Sequence, residues 1–476
     1  MKRLLLLSSL AFLFGCDEGE PVANTPPQTK ISVEEINLVG ENRLNSVVRL
    51  SWYGTDKDGY VVGYEVSLDN QNWGFTTLQD STFQFDIPAG QDSVDINLYV
   101  RALDNDSLRD PSPADLRIPL KNTPPVSEID TDVQTKGTSI GVATYRWNAT
   151  DQDGDETIIE AEVRFNNGTW YQIPPNQKLL TFVLDPNTPS GPTTAEVYFA
   201  NDNSPQSMTI DGLEAGGTNT MYLRTKDIAN SYSEVDTADA VTLVLPTSDL
   251  LVVSGQSSSV TSQYATILSN LNINYDFLDY GINGGELQPA FWSPTVNHIL
   301  KQYDRLFIHS DAQVFQNQAT GQTGPLLALM GPAVQEYTDA GKKILVTTSF
   351  GTLSDLSGIV GTYPMTDVVR SSGLVRVYPD SATYPVTDSA TYPLLQSNNV
   401  LVGITPIVKS ADAENYYRTE LTPLSGWQGD NLVGVRRRFS GNVSQVLFSM
   451  ELWRFNRTPQ DVENLIDEIL TNDFDW

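Results

Sequence analysis

The chain holds one cysteine in 476 residues, Cys16, so no disulfide can form within it. It holds two histidines, His298 and His309, too few for a zinc site of the Cys/His kind. Cations are scarce: 29 Lys and Arg stand against 59 Asp and Glu, a formal net charge of −30. Such a chain repels phosphate backbones, which sets nucleic acid aside as a partner. No glycine-rich phosphate loop has the required spacing. A transmembrane anchor is not expected at the start either, because the apolar run Leu4 to Phe14 is about half the length a helix needs to cross a bilayer.

That run has another use. It follows Met1-Lys2-Arg3 and ends at Gly15-Cys16, the layout of a secretory signal. Leu13-Phe14-Gly15-Cys16 resembles the lipobox of bacterial lipoproteins. The resemblance implies a signal peptide over 1–15 and lipidation of Cys16, with the membrane as a partner through that anchor. Each buried methylene of an acyl chain contributes about 0.8 kcal/mol. Asp17-Glu18-Gly19-Glu20 follows, and resembles the surface-export signal of Bacteroidetes-type lipoproteins; a solvated acidic tether is the other reading. The expected address is the outer membrane, exposed on the cell surface, with a periplasm-facing orientation as the alternative. Residues 16–25 read as tether and linker.

The remaining length suits about three domains. An internal repeat fills the first half. Trp52-Tyr53-Gly54-Thr55-Asp56-Lys57-Asp58-Gly59 recurs as Trp147-Asn148-Ala149-Thr150-Asp151-Gln152-Asp153-Gly154. Val66, Asn70 and Trp73 recur as Val163, Asn167 and Trp170, and Tyr99-Val100-Arg101 with Asp104 as Tyr222-Leu223-Arg224 with Asp227. Asn24-Thr25-Pro26-Pro27 and Asn122-Thr123-Pro124-Pro125 precede the two copies and read as linkers. Short alternating runs, Val47–Trp52, Val61–Leu68, Thr82–Ile87 and Val94–Ala102, are separated by turn residues, which argues for β-sandwiches over 26–122 and 123–246. Each unit resembles fibronectin type III and related immunoglobulin-like modules, with Trp52 on the second strand and Tyr99–Ala102 on the sixth. The second copy carries an insertion, roughly 174–206, expected as a loop or hairpin.

In such a sandwich the loops after strands two and six share one end. Asp56 and Asp58 are then expected near Asp104 and Asp106, and Asp151, Asp153 and Asp155 near Asp227. Clustered carboxylates suit Ca²⁺, which takes oxygen ligands in flexible geometry; Asp and Gly also favour plain polar turns. Calcium is the one cofactor this pattern suggests. Trp52 and Trp147 are expected in the core. Trp73 and Trp170 follow polar turns and are either packed under a loop or exposed to stack on a sugar or a partner.

At residue 247 the pattern changes. Apolar strands at Leu250–Gly255, Tyr275–Asp279, Arg305–His309 and Lys343–Thr348 alternate with helical stretches at Ser259–Leu271 and Leu326–Ala340. A hairpin, Leu432–Phe439 with Ser444–Met450, and a helix from Thr458 to Leu470 follow. The expected fold for 247–476 is an α/β parallel sheet with helices on both faces. Asp249–Gly255, Tyr337–Val346 and Val446-Leu447-Phe448 resemble the class I glutamine amidotransferase-like, flavodoxin-like fold. Active relatives carry a Cys nucleophile after the strand matching Lys343–Thr348, with a later His. Here the segment reads Thr347-Thr348-Ser349-Phe350-Gly351, and no His follows Ser349. Ser349 and His309, with Asp311 beside it, are the cleft residues to watch; a serine needs a base. Arg436-Arg437-Arg438 is expected in salt bridges. The tandem Asp380–Pro385 and Asp388–Pro393 is expected as an exposed loop; its Asp-Ser-Ala resembles a Bacteroidetes O-glycosylation signal.

The reading is a non-catalytic pseudoenzyme: a surface lipoprotein that binds a protein partner or serves as a structural accessory subunit. The alternatives are a glycan-binding accessory protein resting on Trp73 and Trp170, and a hydrolase using the cleft of the last domain.

Overall fold

The computed structural model describes residues 23–35, 46–85, 87–281, 289, 291–351, 355–371 and 374–475. The lipobox, Cys16 and the acidic cluster after it lie outside these residues. Among the described residues no helix is long and apolar enough to cross a membrane.

Among the described residues the first repeat forms seven strands: β1 (Gln28–Glu35), β2 (Val47–Thr55), β3 (Val61–Ser67), β4 (Gly74–Thr76), β5 (Asp80–Gln84), β6 (Ser93–Asp104) and β7 (Ala114–Lys121). They make two sheets, β1-β2-β5 and β4-β3-β6-β7. Burial alternates along them. Val48, Leu50 and Trp52 from one sheet meet Tyr64, Leu98, Val100, Ala102, Ile118 and Leu120 from the other. Period-two burial on two facing antiparallel sheets is an immunoglobulin-like β-sandwich.

The second repeat repeats the plan and enlarges it. Its strands are β8 (Val126–Gln134), β9 (Gly137–Ile140), β10 (Val142–Thr150), β11 (Ile158–Phe165), β12 (Tyr171–Ile173), β13 (Leu179–Leu184), β14 (Gly191–Phe199), β15 (Thr209–Ala215), β16 (Thr218–Asn219), β17 (Met221–Asp227), β18 (Asp236–Thr237) and β19 (Val241–Val244). One sheet runs β15-β14-β13-β10-β8 and the other β12-β11-β17-β18. Strand β13 pairs with β10 as β5 pairs with β2, so it belongs to the common plan. The insertion therefore starts after Leu184, later than expected, and adds the hairpin β14–β15 to the sheet edge. Pairing decides this; the polar composition of 174–206 could not.

The C-terminal region is α/β. Its eight-stranded sheet begins with parallel strands β20 (Leu250–Ser254), β21 (Asp276–Asp279), β22 (Arg305–His309), β25 (Lys343–Thr347) and β33 (Asn442–Phe448), in the order β21-β20-β22-β25-β33. The hairpin β23 (Val314–Gln316) and β24 (Thr323–Pro325) lies between β22 and β25 in sequence. After β25, the short ribbons β26 (Met365–Val368) with β29 (Ile407–Lys409) and β27 (Leu374–Arg376) with β31 (Thr422–Leu424) occupy the long connection. The sheet is completed by antiparallel β32 (Leu432–Phe439), β30 (Ala413–Thr419) and β28 (Thr383–Pro385).

Helices cover both faces. α2 (Thr295–Lys301), α3 (Leu326–Leu329) and α4 (Gly331–Asp339) pack on the face of Leu251 and Val253; α1 (Ser258–Asn270) and α5 (Pro459–Asp467) pack on the face of Leu250 and Val252. This explains a strand apolar at every position. The expected helix Leu326–Ala340 is broken at Met330, since Pro332 begins a new helix there.

The described chain divides into two compact units, and the division is not at 246. One unit is the first module with the loops Asp151–Thr157 and Asp227–Ser231; the other is the rest of the second module with the α/β region. Within this second unit, Ile140 and Val142 belong to the same apolar core as Val296, Ile299 and Val334. Thr295 Oγ1 donates to Thr144 Oγ1 at 2.7 Å, and Gln302 donates its side-chain amide to the Ile140 carbonyl at 3.0 Å. The added hairpin joins in: the Tyr198 ring packs tilted against His298, with centroids 4.1 Å apart. A shared core makes one body of what the sequence presents as two domains.

Candidate functional site

The aspartate loops fall where the repeat places them, and most of their oxygens are engaged; Asp56 is an exception, its Oδ1 accepting only a long bond of 3.5 Å from the Asp58 N–H and its Oδ2 buried without a partner. Asn24 donates its side-chain amide to Asp104 Oδ2 at 2.7 Å, and Thr25 donates its backbone N–H to Asp58 Oδ2 at 2.9 Å. The second copy does the same. Asn122 donates to Asp227 Oδ2 at 2.7 Å, and the Thr123 N–H to Asp153 Oδ2 at 2.7 Å. The Asn-Thr of each linker is thus fastened by two aspartates, and Pro-Pro leads into the first strand. These are charge-assisted bonds, roughly twice as strong as neutral ones.

The other oxygens stabilise the turns. Asp104 Oδ1 accepts the N–H groups of Asp106 and Leu108, and Asp227 Oδ1 accepts that of Ser231. Asp151 Oδ1 accepts the Asp153 N–H, and Asp155 Oδ1 accepts the Asp151 N–H. The Asp106 side chain is exposed at its turn. Hydrogen bonds from Thr25 hold the Asp58 carboxyl below its usual pKa. Burial opposes ionisation at Asp104, but Asn24, Leu108 and Asp106 outweigh it, and the pKa falls. At Asp151 burial wins and the pKa rises, with Asp153 and Asp227 adding repulsion. Among the described residues, no group of three or more His, Cys, Asp or Glu side chains is placed to hold a metal ion.

Trp52 and Trp147 sit in their cores, each donating its indole N–H to a backbone carbonyl, Leu78 at 2.9 Å and Gln177 at 2.8 Å. Trp73 and Trp170 are half-buried on the four-stranded sheets, beneath arginines. The Arg101 guanidinium lies 4.0 Å from the Trp73 ring centroid and is held by Glu65 at 2.7 Å. Arg224 lies 4.4 Å from the Trp170 centroid, held by Glu162 at 2.6 Å, and Arg164 lies 4.8 Å away. Cation–π contact already uses these rings.

In the α/β region, ligands of such sheets bind beyond the carboxyl ends of the strands, where the connections turn to opposite faces. Here that place lies between β20 and β22, and a buried side-chain network stands at the strand ends. His309 is 0% exposed. Its Nδ1 lies 3.1 Å from Gln256 Oε1, and the Gln256 amide donates to Glu451. Nδ1 therefore carries the proton and Nε2 is a bare acceptor with no partner. Tyr264 packs tilted against the imidazole at 4.5 Å between centroids, and burial pushes the His309 pKa down to about 3. Thr347 Oγ1 donates to the Met450 carbonyl at 2.9 Å, and Ser310 and Thr348 share a hydroxyl bond of 3.0 Å. Among the described residues two glycines are closely approached there. A Cβ at Gly281 would stand 1.9 Å from the Gln256 carbonyl oxygen, and one at Gly255 would stand 2.7 Å from Leu326 Cδ2.

Ser349 is half-buried just past β25. Among the described residues no hydrogen bond joins it to either imidazole. Asp311 does not orient His309; its Oδ1 accepts the Gln313 N–H at 2.8 Å. His298 is buried against Tyr198, its pKa pushed down to about 4 by burial.

No protein-family model matches the chain. No curated protein matches it either. Solved structures similar to parts of it include the PKD1 domain of Epp from Vibrio anguillarum, at 13% identity over 21% of this chain and 96% of that one, TM-score 0.16. The fibronectin(III)-like modules of CbhA from Clostridium thermocellum match at 11% identity over 45% of this chain and 95% of that one, TM-score 0.17. The central fibronectin-III array of RIM-binding protein matches at 13% identity over 45% and 98%, TM-score 0.14. The immunoglobulin-like class of the two modules rests on their own strand order.

Sequence reasoning named the aspartates and missed their partners. Asn24, Thr25, Asn122 and Thr123 were visible as a repeated linker motif, and repetition was the signal that they do more than connect. Gln256 and Glu451 carried no such mark, being brought to His309 by the fold alone. The arginine run pairs as expected: Arg436 and Arg438 with Glu414, Arg437 with Asp412. The tandem hexamer is not a free loop. Its first copy supplies edge strand β28, and its second buries Tyr392, which donates to Asp473 Oδ1 at 2.8 Å; Ser389 stays exposed.

Proposed function

We propose that the protein is a non-catalytic, lipid-anchored extracytoplasmic accessory subunit that holds its α/β region and sandwiches at a membrane surface for a protein partner. The observation that carries this reading is the fate of the two histidines. Both are buried and neutral, one in the strand-end network and the other against Tyr198, so neither offers solvent an imidazole base. The parallel-strand order, with the second strand outside the first and the third to fifth following on the other side, supports the flavodoxin-like and amidotransferase-like kinship. The position of that family's nucleophile is then Ser349, without a partner base. The aspartate loops are read as latches between segments, a role that needs no calcium. Stacked arginines on Trp73 and Trp170 weigh against sugar stacking there.

The test is affinity purification of the full-length protein from its own membranes in mild detergent, with the Ser349→Ala variant in parallel. The reading expects a stoichiometric membrane partner, recovered equally by both. Recovery of the chain alone, or a phenotype for Ser349→Ala without loss of fold, would overturn it.

A further inference from the structure

Among the described residues the two sandwiches present the same loop end, once covered and once open. The second module's loops Asp151–Thr157 and Asp227–Ser231 receive donors from the first module. Ser46 gives its N–H to Asp153 Oδ1 at 3.2 Å, Gln84 its side-chain amide to the Asp153 carbonyl at 2.9 Å, and Gly90 its N–H to the Ile228 carbonyl at 3.0 Å. In each bond the loop end is the acceptor. Asp153 is left 4% exposed.

The first module builds its own loop end alike. The Asn105 N–H donates to the Tyr60 carbonyl at 3.1 Å, as Ile228 does to Thr157 at 2.9 Å, and Ser107 and Asn230 share a positive φ of 69° and 68°. The acceptors equivalent to those used in the second module are the Asp58 and Asn105 carbonyls, and Asp58 is exposed. Where the covered end has Thr157 and Ser231, the open one has Tyr60, 67% exposed, and Leu108, also exposed. Tyrosine is among the residues enriched as anchors of protein interfaces.

We propose that the loop end of the first module, formed by Asp58, Tyr60, Asn105, Asp106 and Leu108, docks a membrane-proximal protein partner that presents backbone N–H donors and a pocket for the Tyr60 ring. This rests on the accessory-subunit reading above. A second copy would set acceptor against acceptor and Asp against Asp, and the first module's own donors are already spent on the second module. Anionic headgroups meet the same repulsion. The chain enters the module at this end, through Asn24 and Thr25. The segment back to Cys16 reaches at most about 30 Å when extended, so an anchor there would keep the docking end near the bilayer.

The test places benzoylphenylalanine at position 60, and separately at the equally exposed Leu78, in the full-length protein in its own membranes. Illumination is expected to give one adduct of fixed mass from position 60 and none from 78. Asp106→Arg, which inverts a charge without touching either latch, should reduce that adduct at least about tenfold, the loss expected at an interface hot spot. A self-adduct, a lipid adduct, equal adducts from both positions or indifference to Asp106→Arg would overturn the proposal. If a stoichiometric partner co-purifies but position 60 gives no adduct, the docking end is wrong and the accessory reading stands. If neither is found, both fall.

Discussion

Among the described residues the first sandwich is small, with three strands facing four and its loop end open. The second widens one sheet to five strands, has its loop end covered, and shares a core with the α/β region. The two began from one motif, and the difference lies in what each must hold. The second module buries Asp153 and adds a hairpin that packs on the α/β region; the first keeps Asp58 exposed.

The common plan sets the largest expected effect. Trp52→Ala and Trp147→Ala should each cost about 3–5 kcal/mol, the usual toll of emptying a large core site. Calorimetry of the full chain should show the loss in a different transition for each variant. A single shared transition would mean the two units fold as one.

Acid should separate the units next. Both histidines lie in the second unit and are neutral when folded, with pKa about 4 and about 3 against about 6.5 unfolded. The unfolded chain takes the proton first, so this stability is complete above about pH 6.5 and declines below it. By pH 4, His298 alone removes about 3 kcal/mol. The first module has no histidine, and Asp58, Glu65, Asp69 and Asp104 all have lowered pKa values. Its losses should begin only below about pH 4, as those carboxylates protonate. A melting series from pH 7 to 4 should lower the second unit's transition and spare the first.

A smaller contrast concerns the latches. Asp153→Ala strands two backbone donors in a buried place and should cost about 2–3 kcal/mol. Asp58→Ala at the exposed counterpart should cost clearly less. Equal effects would mean that covering the loop end adds nothing. The smallest expected effect is that of calcium: neither EDTA nor added Ca²⁺ should move either transition.

Much of this was legible in the chain. Period-two runs located the sandwiches, Trp52 and Trp147 located their cores, and the unbroken apolar stretch Leu250–Val253 announced a strand covered on both faces. What escaped was set by contacts distant in sequence. α2 is buried along its length and has no amphipathic stripe to announce it. The edges of the insertion depend on β13 pairing with β10. The aspartates show their charges in the sequence, and the amide donors that face Asp58, Asp104, Asp153 and Asp227 become visible only in the fold.

Amide hydrogen exchange at Thr25 and Thr123 in the full-length protein tests the central claim most directly. The latch account predicts that both amides are protected, Thr123 more than Thr25, and that Asp153→Ala releases Thr123 while Thr25 is unchanged. Exchange of both at the rate of an unstructured linker, or protection that survives Asp153→Ala, would contradict it.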